Sequence, residues 1–461
     1  MFIFIGINLR LAENISAQDV DQRLVNQLQN FKSMEEKMQR ITRRDFLGGA
    51  AALGVVGGVA MMSGCSSDEK VSVTGSGVNS GNELAKTPYS DGPQSITDIA
   101  KKLCEGYNLE ELSNDDKNYE IQLGYYNCDH MAAASVGEAT GIFKQLGMKV
   151  SVTGTSNMPE AMSAGAMDAA YCGWTVSLNA VKKGVPVFVA AENHTGGSEY
   201  LVVRNDIKEA SELIGKKLAL GKDPETTSAT WVECAEALGL PKEGSNYENF
   251  TMSDSDEYLA LASGSLDGMI TCDPWGSMAE YSGVGHIMYT QNPERSNGHG
   301  TCCKLAMNKT FAEAHPRLAE RFCLAHSICI QFMYEHPFYA AQLFSAYYNV
   351  PVEVSLMTYW RKFVNEGRTI RWDLNEKYIN NQLEYYRQKH IRDDVNTLTV
   401  NDFCDMKYMN ASGAKDFEQF IKENIDEPFP EGMSYDDFKK KAIAIDGAEG
   451  YDTSKYEEKN K

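Results

Sequence analysis

Short apolar runs alternate with longer amphipathic stretches from about residue 118 to residue 290. Runs at 120–126 (EIQLGYY), 148–153 (MKVSVT), 167–172 (MDAAYC) and 185–190 (VPVFVA) read as strands. Between them, 131–146, 159–164 and 175–183 have helical spacing, and Gly147 and Gly165 supply stops. After an extended stretch at 200–203 the alternation resumes. Strands are expected at 217–220, 247–252, 268–272 and 286–290, with helices at 226–238, 255–263 and 275–281. Such alternation predicts βαβ units and mainly parallel sheets. From 308 the pattern turns helical, with amphipathic stretches at 309–314, 316–335, 337–348, 352–365 and 375–389.

A quasi-repeat divides the α/β part into two similar lobes. Gly165-Ala-Met-Asp168 leads through a buried run to Trp174, and Gly264-Ser-Leu-Asp267 leads in the same way to Trp275. In each, a helix stops at glycine, aspartate turns the chain, and a strand delivers an aromatic residue at its C-terminal end. The expected lobes are 118–205 plus 286–350, and an inserted 206–285. A helical extension (351–430) and a charged, frayed tail (431–461) follow.

Composition removes one class of function. Lys plus Arg number 44 against 64 Asp plus Glu, giving a net charge of −20. Clustered cations are needed to bind polyphosphate, so nucleic acid is not expected as a partner. The N-terminus points to export. Arg43-Arg44 followed by Phe46-Leu47 resembles a twin-arginine signal, although Gly48 stands where lysine usually follows. The apolar stretch 46–62 contains five glycines in 17 residues, too weak for a membrane span. It ends at Met62-Ser63-Gly64-Cys65, which resembles a lipobox whose cysteine is lipidated. Residues 1–65 are therefore read as an export signal. A start at Met34 or Met38 would give the usual short n-region, leaving 1–33 or 1–37 untranslated. Residues 66–117 read as a flexible tether, with one short helix near 96–105.

Four stretches in order resemble the nitrate/sulfonate/taurine-type solute-binding lipoproteins of ABC importers. They are Gly124-Tyr-Tyr with Glu138-Ala-Thr-Gly-Ile-Phe143, 153–168, Leu213-Ile-Gly-Lys-Lys-Leu218, and Ser263-Gly-Ser-Leu-Asp267 with Asp273-Pro274. The resemblance covers 118–315 and implies a two-lobed, type II periplasmic-binding-protein-like fold, shared with the thiamine-pyrimidine synthases. It also implies a small-molecule ligand in the interlobe cleft, permease and ATPase partners, and a site outside the cytoplasmic membrane. The expected location is its outer face, held by a lipid at Cys65. A pyrimidine-synthase-like enzyme, a metal-binding variant and a receptor-docking sensor are the alternatives. An export signal, and the lack of a catalytic elbow, HExxH or P-loop, disfavour the enzyme. No cofactor motif is present.

Ligands of parallel sheets sit beyond the C-terminal strand ends. The candidate contacts are therefore Asn127, Asp129, His130, Asn157, Gly173, Trp174, Thr175, His194, Thr226, Thr227, Asp273 and Trp275. Each has a bland reading: Thr226, Thr227 and Ser228 as ordinary helix caps, Trp174 and Trp275 as core, and Asp129 as cap of helix 131–146. His130 and His194 are either hydrogen-bond donors to an anion or structural histidines. Asp273 either holds an amine or caps a helix. Ten cysteines besides Cys65 permit disulfides in an exported protein. Cys128, Cys172 and Cys272 fall at strand ends, where thiolates could hold a soft metal, but their spacing matches no metal motif.

Overall fold

Ten strands form two five-stranded sheets in the computed structural model, which describes residues 95–126, 132–196, 199–291, 301–448 and 450. The strands are β1 (Glu120–Tyr125), β2 (Lys149–Gly154), β3 (Ala169–Gly173), β4 (Val187–Glu192) and β5 (Glu199–Arg204). They continue as β6 (Lys217–Ala219), β7 (Glu248–Phe250), β8 (Gly268–Cys272), β9 (Gly285–Thr290) and β10 (Cys303–Asn308). The first sheet runs β2-β1-β3-β10-β4 and the second β7-β6-β8-β5-β9. Each has a single antiparallel strand: β10 against β3 and β4, and β5 against β8 and β9. These are the two strands that enter from the other sheet.

The division between lobes differs from the sequence expectation. Residues 199–204 and 286–290, expected with the first lobe, hydrogen-bond in the second sheet. The chain therefore passes between the sheets after β4 and again after β9. β5 belongs to the second sheet because both its faces are buried there. Leu201 and Val203 pack with Trp231 on one side, and Tyr200 and Val202 with Met269 on the other. β10 was not expected as a strand, because Lys304 interrupts a six-residue run. All six residues are buried, and Lys304 is neutralised by Glu192 on neighbouring β4.

The quasi-repeat corresponds to equivalent turns. Asp168 accepts from the Gln122 amide on β1 at 2.8 Å, and Asp267 from the Lys217 amide at the start of β6 at 3.0 Å. Gly165 and Gly264 both take positive φ, +69° and +73°, which a side chain would disfavour. Expected helix 131–146 is two pieces, Ala132–Ala139 and Ile142–Gln145, broken at Gly141 (φ 79°).

Helix Pro316–Glu335 lies in the main core, where its Phe322 and Ile328 join Ala132, Val136 and Leu305. Two further expectations are corrected. Residues 95–112 are not tether: helix Ile96–Glu105 buries Ile99, Ala100 and Cys104 in that core. Residues 431–448 are not frayed: helix Tyr435–Ile445 buries Phe438 and Ala442, and Asp446 accepts from the Phe338 and Tyr339 amides. All described residues fall in one compact unit, Thr74–Lys461. No helix among them is long and apolar enough to cross a membrane. The expected lipidation site, Cys65, lies outside the described residues.

Candidate functional site

The C-terminal edges of the parallel strands in both sheets border a cavity of about 460 Å³. Small-molecule sites span about 300–1,000 Å³. From the first lobe it is lined by Tyr126 after β1, Ser156 and Met158 after β2, and Gly173–Val176 after β3. The β3 chain runs from Gly173 directly into helix Trp174–Lys182, which has no side-chain N-cap. The second lobe supplies Glu199, Thr227–Thr230, Asp254 and Ile270–Cys272, and the returning crossing supplies Gln291 and Thr301–Cys303. Gln382 and Tyr386 complete the wall from helix Glu376–Lys389 of the extension.

Two buried contacts fix the first-lobe side. The Trp174 Nε1–H donates to the Tyr386 hydroxyl at 3.2 Å, and its ring meets Phe403 edge-on at 5.1 Å. Behind it, the fully buried Lys304 ammonium donates to Glu192 and to the Thr301 hydroxyl, 6.0 Å from the Trp174 ring centroid. Burial pushes the Glu192 carboxyl up, against the pull of Lys304.

On the second-lobe side, hydroxyl protons are directed into the wall itself. Thr230 donates to Glu199 and lies 3.2 Å from the Gln291 Oε1, and Thr271 donates to Asp254 at 3.3 Å. The Gln291 amide nitrogen donates to buried Glu233 at 3.1 Å, which turns its carbonyl oxygen toward Thr230. That side of the cavity is therefore rich in acceptors.

Gly173, Trp174, Thr175 and Thr227 line the cavity as expected from their strand and helix ends. Thr226 does not, and neither threonine caps the long helix. Residues 224–227 form a separate short helix in which both hydroxyls bond back to the Lys222 and Asp223 carbonyls. Ser228 is the true N-cap of helix Ala229–Leu238, accepting from Trp231 at 3.1 Å. Asn157 is exposed beside the lining residues Ser156 and Met158, but is not itself among them.

His194 is fully buried in the crossing, with its backbone bonded to Cys303, away from the lining. Trp275 packs against Tyr258 instead, the two rings tilted with centroids 5.7 Å apart. Between β3 and its helix no residue intervenes, whereas Asp273 and Pro274 separate β8 from Trp275 and turn it aside. Asp273 is buried in an ion network, 3.6 Å from Lys362 and 3.9 Å from Arg361, and accepts from the Ser277 amide at 2.8 Å. Burial alone would raise its pKa, but these cations and amides together hold it below the ordinary carboxylate value. Asn127, Cys128, Asp129 and His130 lie outside the described residues.

For a metal, Cys172 is unsuited as placed. Burial pushes its thiol up to about 11, and its sulfur is 3.3 Å from the Ser177 hydroxyl. Cys272 lines the cavity with Cys302 and Cys303, but no three His, Cys, Asp or Glu among the described residues are grouped to hold a metal. No disulfide joins the described cysteines.

Residues 114–342 match the family described as the NMT1-like family. The fold matches the zinc-bound ligand-binding component of an ABC-type import system from Staphylococcus aureus, at 14% identity and TM-score 0.53. That match covers 65% of this chain and 100% of the other. It also matches the alkanesulfonate-binding protein SsuA from Xanthomonas axonopodis pv. citri bound to MOPS (14% identity, TM-score 0.50, 62% and 97% covered). The periplasmic nitrate-binding protein NrtA from Synechocystis is similar as well (14%, 0.50, 73% and 100%). A comparison with curated proteins gives no match. At such identities the likeness establishes the fold: two α/β lobes of the periplasmic-binding type, followed here by a helical extension.

Proposed function

Since residues 114–342 of this chain match the NMT1-like family, we propose that it is the solute-binding component of an ABC importer rather than an enzyme. The observation that carries this is the cavity of about 460 Å³ at the facing strand ends of both sheets. A ligand touched from both lobes favours the closed arrangement by the differential contacts it makes there. Hydroxyl, carboxamide and aromatic side chains suit the capture of a small polar solute, of the sulfonate, taurine, nitrate or pyrimidine class. We further propose that Trp174, Thr175 and Thr227 contact it. The cysteine at 65 is lipidated after twin-arginine export, which anchors the protein outside the cytoplasmic membrane and beside its permease and ATPase.

Thermal denaturation of the purified protein against sulfonates, amines, pyrimidines and metals tests the binding reading. A true ligand at 100-fold its Kd should stabilise by about 2.7 kcal/mol. A panel in which nothing raises the midpoint would overturn it. Mass spectrometry of the membrane fraction tests the anchor: a diacylated Cys65 peptide supports it, and an intact 40–64 peptide in the mature protein refutes it.

A further inference from the structure

Cys302 and Cys303 stand side by side in the cavity wall, with their sulfurs 3.5 Å apart. Neighbouring residues of a regular strand point to opposite faces, which would hold two such sulfurs well apart. This pair escapes the rule because β10 begins at Cys303, leaving Cys302 outside the ladder. Both amides donate to one acceptor, the His194 carbonyl, at 3.2 Å each. The chain curls around that oxygen and brings the two side chains together. The pair is also tied to its surroundings through its own carbonyls. Cys302 accepts from the Trp174 amide at 2.6 Å, and Cys303 from the His194 amide at 2.9 Å.

Both residues are thiols in this structure. A disulfide needs its sulfurs about 2.0 Å apart, so closing this pair takes a movement of about 1.5 Å. Adjacent Cα atoms lie about 3.8 Å apart, closer than the roughly 4.4–6.8 Å usual across a disulfide. The closed ring is therefore strained, and strained disulfides are the readily reduced ones. A bond here is a reversible mark rather than a structural staple. Access follows the same order. Cys302 is half-buried and lines the cavity, whereas Cys303 is 3% exposed, so a small reagent meets Cys302 first. Cys323 and Cys329 differ on both counts: they are fully buried away from the lining, and burial pushes their thiols up.

We infer that Cys302 and Cys303 form a redox modification site, oxidised to a disulfide between neighbouring residues by a low-molecular-weight disulfide entering the cavity. The Cys302 thiolate attacks one sulfur of the oxidant, giving a mixed disulfide and releasing the other half as a thiol. The Cys303 thiolate then attacks the Cys302 sulfur, closing the ring and expelling the second thiol. Two protein thiols are oxidised, one small disulfide is reduced to two thiols, and both protons pass to those products. The wall then offers a closed disulfide ring in place of two S–H groups. This chemistry needs only the cavity and the sulfur pair, so it stands or falls apart from the solute-binding reading.

Peptide mass spectrometry of the whole protein tests it. The reduced protein is exposed to bis(2-hydroxyethyl) disulfide, quenched in acid, denatured, alkylated with N-ethylmaleimide and digested with trypsin. Cleavage after Arg295 and Lys304 isolates the pair in one peptide, 296–304, with no other cysteine. That peptide should carry no alkyl group and be lighter by two hydrogens than its reduced form. Dithiothreitol before alkylation should restore two alkyl groups. The peptide holding Cys323 and Cys329 should be alkylated at both throughout. Two alkyl groups on 296–304 after the oxidant, or a mixed disulfide that never closes, would overturn the assignment. A cross-link to the peptide carrying Cys272 or Cys128 would do the same, as would equal oxidation of Cys323 and Cys329. Cys303→Ser should halt the sequence at the first step, with Cys302 held as the mixed disulfide. Cys302 left unmodified in that variant would refute the order of attack, and the result on the unsubstituted protein holds even if the variant misfolds.

Discussion

Asp273 and Thr226 were equal candidates in the sequence, each a polar residue beside a strand end, and their environments separate them. The Asp273 carboxylate is fully buried between Lys362 and Arg361, so Asp273→Asn leaves two cations with a weakened counter-charge. It should cost about 3–5 kcal/mol in urea denaturation. Thr226→Ala, at an exposed hydroxyl bonded only to the Asp223 carbonyl, should stay within about 0.5 kcal/mol. Because the folded-state pKa of Asp273 is lowered, its contribution is complete above the unfolded value of about 3.9 and is lost as pH falls through the folded one. The Asn variant and the wild type should therefore converge in acid. Glu257 works in the opposite direction. Burial, with Asp254 adding to it, pushes its carboxyl up to about 9. Between about pH 4 and that value folding must take up a proton, so its contribution falls as pH rises. Glu257→Gln should raise the thermal midpoint at about pH 8 and change it little at about pH 4. An equal shift at both would refute that linkage. Trp174 is a poor choice for an alanine test of binding alone. At 3% exposure against Phe403, its truncation should itself cost about 3–5 kcal/mol of stability.

Elements were legible wherever periodicity alone decides them. Nine of the ten strands coincide with apolar runs that the pattern marks out, since alternate residues such as Tyr200 and Leu201 serve opposite buried faces. β10 was illegible because its middle carries Lys304, and only the pairing with Glu192, more than a hundred residues away, makes that lysine compatible with a core strand. The C-terminal helix was hidden differently. Lys439-Lys440-Lys441 looks like a solvated tail, yet the same turns carry Phe438 and Ala442 to the core. Its first turn is capped by Ser434, which accepts from Asp437 at 3.2 Å. Phe438→Ala should therefore cost about 3–5 kcal/mol in denaturant unfolding. A frayed segment would register within about 0.5 kcal/mol.

At the scale of the molecule, both lobes and the extension meet in one cluster. Trp174 and Leu178 come from the first lobe, Val232 from the second, and Ile379, Leu383 and Phe403 from the extension. Polar contacts repeat the pattern. Lys389 reaches Glu236 of the second lobe at 2.7 Å, and Lys182 of the first reaches Asp394 at 2.9 Å. The cavity edges could be read in advance, because strand ends are local features. The wall contributed by Gln382 and Tyr386 could not, because a contact across some two hundred residues leaves no local pattern in either partner. Separating the lobes must loosen this cluster, so packing there should govern how long a ligand stays even where no atom touches it. Leu383 is 1% exposed and outside the cavity lining. Leu383→Ala should cost about 2–5 kcal/mol of stability. It should also speed dissociation of the bound solute by about tenfold with little change in association, since such changes act mainly through the off-rate. Lys389→Ala removes a partly exposed pair, about 0–1 kcal/mol, and should leave both rates unchanged. Stopped-flow dissociation distinguishes the cases. A Leu383→Ala protein that is destabilised yet releases ligand at the wild-type rate would mean that the extension supports the fold without holding the cleft.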